Sequence, residues 1–227
     1  MPLFVVATPI GNLEDITYRA VRVLSEAELI AAEDTRSART LLARYNIRTP
    51  LCSYHEHNEE AVAARLAERL GAGAKIALIS ESGTPLISDP GYRIVRRAIE
   101  AGVEVVPIPG PCALTAALSV AGLPVHEFTF RGFLPRRAGQ RRTALELLRD
   151  HEGTLIFYES PYRVRAMLAD ALSVLGDRPA AVGRELTKLH EEMIRGTLSE
   201  LANRDFATRG EFVVLIAGRR RVAGAAP

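Results

Sequence analysis

Three short clusters hold the side chains best suited to chemistry, and each follows an apolar run of strand length. Glu33-Asp34-Thr35-Arg36 sets two carboxylates beside a guanidinium, and His55-Glu56-His57-Asn58 sets two imidazoles around a carboxylate. Groups of this kind can take or give a proton. The paired histidines could also begin a metal site, but no third and fourth ligand follows, so no metal is expected. The other reading of that cluster is a polar loop in which Asn58 caps the next helix. The third cluster, SESGTPLISDPG from Ser80 to Gly91, is built from small residues, prolines and hydroxyls. Such a backbone is stiff yet lets a ligand come close. It is also long for a simple strand-to-helix joint, and long ordered loops tend to be functional.

The elements that must position these clusters are strand–loop–helix units. Strands are expected at Leu3–Thr8, Leu29–Ala32, Leu51–Tyr54, Ile76–Ile79 and Val103–Val106. Helices are expected at Asp15–Glu26, at Thr35 to about Tyr45, and at Glu59–Leu70, Tyr92–Ala101 and Ala113–Ala121. Alternation of this kind implies a mainly parallel sheet with right-handed crossovers. Every unusual cluster then lies at a strand exit, the edge where open α/β sheets bind ligands. Gly122-Leu123-Pro124 reads as a joint. Beyond it, strands are expected at Phe128–Phe133, Thr154–Tyr158, Ala180–Gly183 and Glu211–Ala217, and the segment His190–Leu198 could be strand or helix. Helices are expected at Gln140–Arg149 and from Ser160, as N-cap, with Pro161 in the first turn, to Leu175. The tail has no packing pattern and is expected to be loose.

Composition narrows the function classes. A chain of 227 residues with a net charge of +2 suits one large domain or two lobes, and the charge alone does not announce nucleic acid. No apolar run approaches the roughly 20 residues that cross a bilayer, and the start of the chain shows no targeting signal. Cys52 and Cys112 stand far apart, which argues against a disulfide framework or zinc and suits a reducing cytoplasm. No phosphate-binding G-x-x-x-x-G-K-[ST] or G-x-S-x-G elbow is present. Pro9-Ile10-Gly11-Asn12 stands where a dinucleotide loop would sit, but with one glycine instead of three, which disfavours NAD and FAD. What remains suits a ligand held by backbone and hydroxyls.

Eight ordered motifs carry a resemblance that spans nearly the whole chain. They are TPIGNLEDIT (Thr8–Thr17), AAEDTR (Ala31–Arg36), SYHEHN (Ser53–Asn58), SGTPLISDPGYR (Ser82–Arg93), PIPGP (Pro107–Pro111), GFLPR (Gly132–Arg136), FYESPYR (Phe157–Arg163) and RELTKLHEE (Arg184–Glu192). The chain resembles the tetrapyrrole methylase superfamily, and within it the branch that 2′-O-methylates a cytidine in the decoding region of small-subunit (16S) ribosomal RNA. The resemblance implies two α/β lobes, residues 1–112 with a mainly parallel sheet and 113–220 with a mixed sheet, followed by a loose tail at 221–227. It further implies S-adenosylmethionine in the cleft between the lobes, a homodimer, and ribosomal RNA or the 30S particle as substrate.

Carried onto this sequence, the resemblance places Pro9, Gly83, Thr84, Pro85, Ile87, Ser88, Cys112 and Ala113 at the cofactor, with Tyr158, Leu186 and Thr197 from the second lobe. Cys112 replaces the common serine, and Glu81 stands where aspartate or glycine is frequent, so Glu81 is given no contact. Many relatives run on into a small C-terminal extension, whereas this sequence stops soon after its last strand. For the proton of a ribose hydroxyl, Glu33, Asp34, His55, Glu56, Glu185 and Lys188 are candidates. Asp34 is favoured, with Lys188 as charge partner or desolvated base, against a reading of Asp34 as a helix cap. Arg36, His55, Arg131, Arg136, Arg137, Arg141 and Arg142 form the expected RNA surface, and Tyr54, Tyr158 and Tyr162 could stack a base. A methylase acting on a tetrapyrrole-like small molecule, or a non-catalytic RNA-binding protein, would share many of these features.

Overall fold

The computed structural model describes residues 1–219, which divide into two compact units, one of residues 1–112 and one that begins at Ala113. The tail expected at 221–227 lies outside the described residues.

The first unit contains β1 (Leu3–Val6), α1 (Tyr18–Glu26), β2 (Leu29–Ala32), α2 (Thr35–Arg44), β3 (Leu51–Ser53), α3 (Glu59–Gly71), β4 (Ile76–Ile79), α4 (Tyr92–Glu100) and β5 (Val105–Ile108). The strands form one sheet in the order β3-β2-β4-β1-β5, and every pairing is parallel. Strand alternation explains the unbroken apolar runs. Ile30 and Ala32 face the helices α1 and α2, packing with Val23, Leu24 and Leu42. Leu29 and Ala31 face the other way, toward Leu66 and Leu70 of α3 and Ile94 of α4. Both faces are covered, so both sets of side chains must be apolar.

The second unit contains α5 (Ala113–Val120), β6 (Phe128–Phe133), α6 (Ala138–Glu146), β7 (Thr154–Glu159), α7 (Val164–Leu175), β8 (Pro179–Arg184), β9 (Glu192–Thr197), α8 (Leu198–Ala202) and β10 (Phe212–Ile216). Its sheet runs β6-β7-β10-β8-β9, with only β6 and β7 parallel. Phe157, Val182, Val214 and Ile216 pack against Met167, Leu168 and Ala171 of α7 to make its core.

Four local expectations are corrected. A separate 3₁₀ turn, Leu13–Asp15, precedes α1, because Thr17 caps α1 by accepting from the Ala20 amide at 3.1 Å. β5 begins two residues late and takes in Pro107, tolerable in an edge strand with a single neighbour. α7 starts at Val164 instead of at Pro161; the Ser160 carbonyl accepts from the amides of Arg163 (3.0 Å) and Val164 (3.1 Å) across an intervening turn. Asn58 does stand before α3, but its side chain accepts from the His55 amide at 2.8 Å and leaves the helix uncapped. The ambiguous 190–198 segment resolves as strand β9.

Candidate active site

Because the first sheet is wholly parallel, the loops after β1, β2, β3, β4 and β5 all emerge at one edge. Three of them are tied together. Thr8 and Gly83 exchange backbone hydrogen bonds, Thr8 N to Gly83 O at 2.8 Å and Gly83 N to Thr8 O at 3.0 Å. The Thr84 hydroxyl then donates to the carbonyl of Pro111 at 3.0 Å. Pro9, Gly83, Thr84, Pro85 and Cys112 are therefore neighbours within this unit, as their motifs imply.

The loop after β4 is unusual in backbone as well as composition. Gly83, Leu86, Ser88 and Gly91 have φ of 78°, 72°, 70° and 143°. Leucine and serine in the left-handed region carry strain, a feature that gathers at ligand-binding turns. Packing is tight from outside too. A Cβ on Gly83 would sit 3.2 Å from the Ile10 side chain, and one on Gly110 would sit 3.0 Å from that of Ala7. Ile87 and Ser88 lie exposed at the turn.

The carboxylates at this edge differ sharply in character. Asp34 caps α2, accepting from the Arg36 amide at 2.6 Å and pairing with the Arg36 guanidinium at 3.1 Å. Those contacts with Arg36 lower its pKa, so it is the weakest proton acceptor of the group. Glu33 is half-buried and its pKa is raised by desolvation, opposed by a hydrogen bond from the Glu81 amide at 3.2 Å, with the charges of Glu81 and Asp34 adding smaller upward shifts. Asp89 is pushed up to about 7, by burial first and by the charges of Glu33 and Glu81 after it, against an opposing hydrogen bond from Ser80. The sequence reading passed over Asp89. Its place inside the longest strand-exit loop was the available signal, but nothing in a sequence announces desolvation. His55 has a buried Nδ1 without a hydrogen-bond partner and sits close enough to Glu33 to act on it. Its ring lies 5.9 Å from that of His57. Among the described residues, no group of three or more His, Cys, Asp or Glu is arranged to hold a metal.

In the second unit, Tyr158 accepts a hydrogen bond from the Leu114 amide, next to Ala113, at 3.2 Å and packs edge-on against Phe130 and Phe133. Tyr158 pairs with Val213 and Val213 with Gly183, so Tyr158 lies toward the strand end where Leu186 follows β8. Thr197 does not join them. It pairs with Pro179 at the far end of β8, about 17 Å along the strand, and its hydroxyl caps α8. Antiparallel pairing reverses β9, which carries Thr197 to the end of the sheet opposite Leu186. Lys188 bonds Glu185 and Glu211, each at 3.0 Å. Burial lowers its pKa, but the two carboxylates outweigh burial and the net shift is upward, which removes the option of a neutral lysine base.

The expected RNA residues separate in the same way. Arg36 is exposed in the first unit, where it pairs with Asp34. In the second unit Arg131, Arg136 and Arg137 are exposed, and Arg142 is exposed while reaching Asp170 at 3.4 Å. Arg141 is a correction: it is buried, and its Nε donates to Asp170 at 2.7 Å. Its polar spacing along α6 matched that of its exposed neighbours, which hid the buried partner. Tyr54 is likewise a core residue, 1% exposed, accepting from the Ile94 amide at 3.3 Å, whereas Tyr162 is exposed.

Comparison with known proteins places this geometry. The family model for Tetrapyrrole (Corrin/Porphyrin) Methylases matches residues 2–202. The chain belongs to that family. It is 52% identical over 218 residues to the Ribosomal RNA small subunit methyltransferase I of Halalkalibacterium halodurans, covering 95% of this chain and 75% of that protein. The protein of the same name from Pseudomonas aeruginosa is 52% identical over 221 residues, covering 95% and 78%. Among solved structures, diphthine synthase superposes with a TM-score of 0.73 at 16% identity, over 96% of this chain and 90% of that one. Uroporphyrin-III-C-methyltransferase from Thermus thermophilus gives 0.63 at 19% identity, over 95% and 94%. At those identities the structures speak for the fold alone.

The methylase family implies S-adenosylmethionine, and the first unit's loops fit such a group. Close-packed glycines, a left-handed turn and a hydroxyl tying the two loops make a backbone-lined edge suited to a ligand that needs contacts more than charge.

Proposed function

We propose that the protein is an S-adenosylmethionine-dependent methyltransferase of small-subunit ribosomal RNA, methylating the 2′-oxygen of a cytidine ribose near the decoding centre. The observation that carries this reading is the identity of about half, over 95% of the chain, to proteins named for that ribosomal subunit. Pro9, Gly83, Thr84, Pro85, Ile87, Ser88 and Cys112 of the first unit hold the cofactor. Ala113, Tyr158 and Leu186 are the second unit's candidates. Bound there, the cofactor supplies an activated methyl on a sulfonium, so the chain's task is mainly to align the attacking oxygen.

A ribose hydroxyl is a weak nucleophile and needs its proton taken. Asp34 was the first candidate, but its cap and its Arg36 pair fit it to shape the loop. Asp89, with a carboxyl pushed up to about 7, is better matched to accept a proton near neutrality, and Glu33 stands next to it in electrostatic reach. Exposed Arg36, Arg131, Arg136, Arg137 and Arg142 offer contacts for phosphates. The protein works in the cytoplasm as a homodimer, a state that sedimentation would check.

The deciding experiment offers methyl-labelled S-adenosylmethionine with naked small-subunit RNA, with 30S particles and with uroporphyrinogen. Label in 2′-O-methylcytidine after nuclease digestion is expected. Label in the tetrapyrrole and none in RNA overturns the reading.

A further inference from the structure

The motif FYESPYR splits across two faces of the second sheet. Tyr158 turns toward Phe130 and Phe133, while Phe157 and Glu159 turn to the face covered by α6 and α7. Glu159 is therefore a carboxylate in a core, 2% exposed, with its pKa raised by that burial. Its Oε1 accepts from the Ser160 amide at 2.8 Å, and its Oε2 lies 3.2 Å from Nη2 of Arg163. The same Nη2 donates to the carbonyls of Leu134 at 2.6 Å and Pro135 at 3.3 Å. A second buried guanidinium continues the row: Arg141 Nη1 donates to the carbonyl of Arg136 at 3.1 Å while its Nε donates to Asp170 at 2.7 Å. Three consecutive carbonyls, 134 to 136, are thus gripped by two arginines, Arg141 hydrogen-bonded to the buried Asp170 and Arg163 paired by charge with the buried Glu159, whose Oε2 makes no hydrogen bond.

Such an arrangement is costly for ordinary stability, because apolar residues fill a core as well as buried ions do. What it achieves is a fixed backbone immediately before two exposed arginines, Arg136 and Arg137. Leu134, 5% exposed, pins the same turn from below. A phosphate contact made from a fixed backbone loses less freedom on binding than one made from a loose loop. We infer that Glu159, acting through Arg163, and Asp170, acting through Arg141, are positioning residues that set the Arg136–Arg137 turn for the phosphate backbone of the RNA substrate. This rests on the RNA-methylating reading given above and assigns the network a role in that substrate's recognition.

The test uses the full chain, unmethylated 30S particles and S-adenosylmethionine. Glu159→Gln is expected to raise KM for 30S about tenfold with kcat within about twofold, and to leave calorimetric cofactor affinity unchanged. The slope of log Kd against log salt should fall by about 1 to 2, as it should in an Arg136→Ala/Arg137→Ala double variant. Adding Glu159→Gln to that double variant should bring no further loss, since the turn then has nothing to present. If Glu159→Gln folds poorly in a thermal scan, Arg163→Lys serves instead, because lysine keeps the charge but loses the planar fork and the reach that hold Nη2 between the carboxylate and the two carbonyls. Normal 30S affinity in the positioning variants, or losses that add to those of the double variant, overturns the inference while leaving the RNA reading intact. Normal 30S affinity in the double variant itself removes the RNA face, and the inference with it.

Discussion

The two sheets solve the problem of placing functional loops in opposite ways. In the first, five parallel strands deliver every strand exit to one edge, so residues scattered from Pro9 to Pro111 meet by topology alone. In the second, one parallel and three antiparallel pairings send successive loops to alternate ends. There, sequence order says little about which loops meet, and Tyr158, Leu186 and Thr197 divide between two ends. The parallel sheet gathers its site by backbone, while the mixed sheet fixes its turns with buried ion pairs. Changes to the first should strike ligand binding, and changes to the second should strike stability or loop placement.

The largest expected effect is on the first sheet. Thr84→Arg inserts a long cation where a hydroxyl ties the loop after β4 to Pro111. Calorimetry should find S-adenosylmethionine binding weakened by roughly 100-fold or more, about 3 kcal/mol, with an unchanged melting curve. Pro85→Arg should weaken binding alike and also lower the melting temperature, because Pro85 is buried. Normal cofactor binding by both variants would show that the backbone edge is not the cofactor's seat.

Next comes the buried pair of the second sheet. Asp170→Ala leaves Arg141, whose side chain is 6% exposed, without its counter-ion. Breaking such a pair costs about 3–5 kcal/mol, which a thermal or urea scan would record. By contrast, the exposed clasp of Glu60 with Arg93 and Arg97 in the first unit should be removable with little change. Equal losses from both would erase the distinction between the units.

How much of this was legible in the sequence follows the same division. Strands β2 and β4 were read to the residue, because strands buried on both faces leave uninterrupted apolar runs. The strand-exit clusters and their common edge were legible for the same reason. Capping was read less well: Asn58 and Ser160 both have side chains that suit a cap, yet their oxygens are engaged elsewhere or the helix begins later. Arg141 in its interior pair, Glu159 in its core and Asp89 with its raised pKa were illegible, since each depends on a partner or on burial remote in sequence.

A smaller effect is a pH dependence in the first unit. Asp89 has a folded pKa near 7, above its ordinary 3.8, so the folded state holds a proton that the unfolded chain has released. Its contribution to stability is complete below about pH 4 and fades as pH rises to about 7. Asp89→Asn should flatten the fall in melting temperature across that window. If Asp89 takes the ribose proton, the same variant should also lose the rise in kcat through neutral pH. An unaltered pH–rate profile would return that role to Glu33.

The mildest prediction concerns Thr197, which the resemblance puts at the cofactor and the strand register puts beside Pro179. Its hydroxyl accepts from the Glu200 amide at 3.3 Å, and Glu200 reaches back to the Thr197 amide at 2.8 Å, a reciprocal cap on α8. Thr197→Ala removes one half of that exchange and should cost about 1 kcal/mol of stability. Cofactor affinity should stay within twofold, because the strand register puts Thr197 at the opposite end of β8 from Leu186. Thr197→Ser keeps the oxygen and should restore the stability. A cofactor affinity that falls with Thr197→Ala and returns with Thr197→Ser would mean that both ends of this sheet serve the ligand, and the contrast between gathered and divided loops would fail.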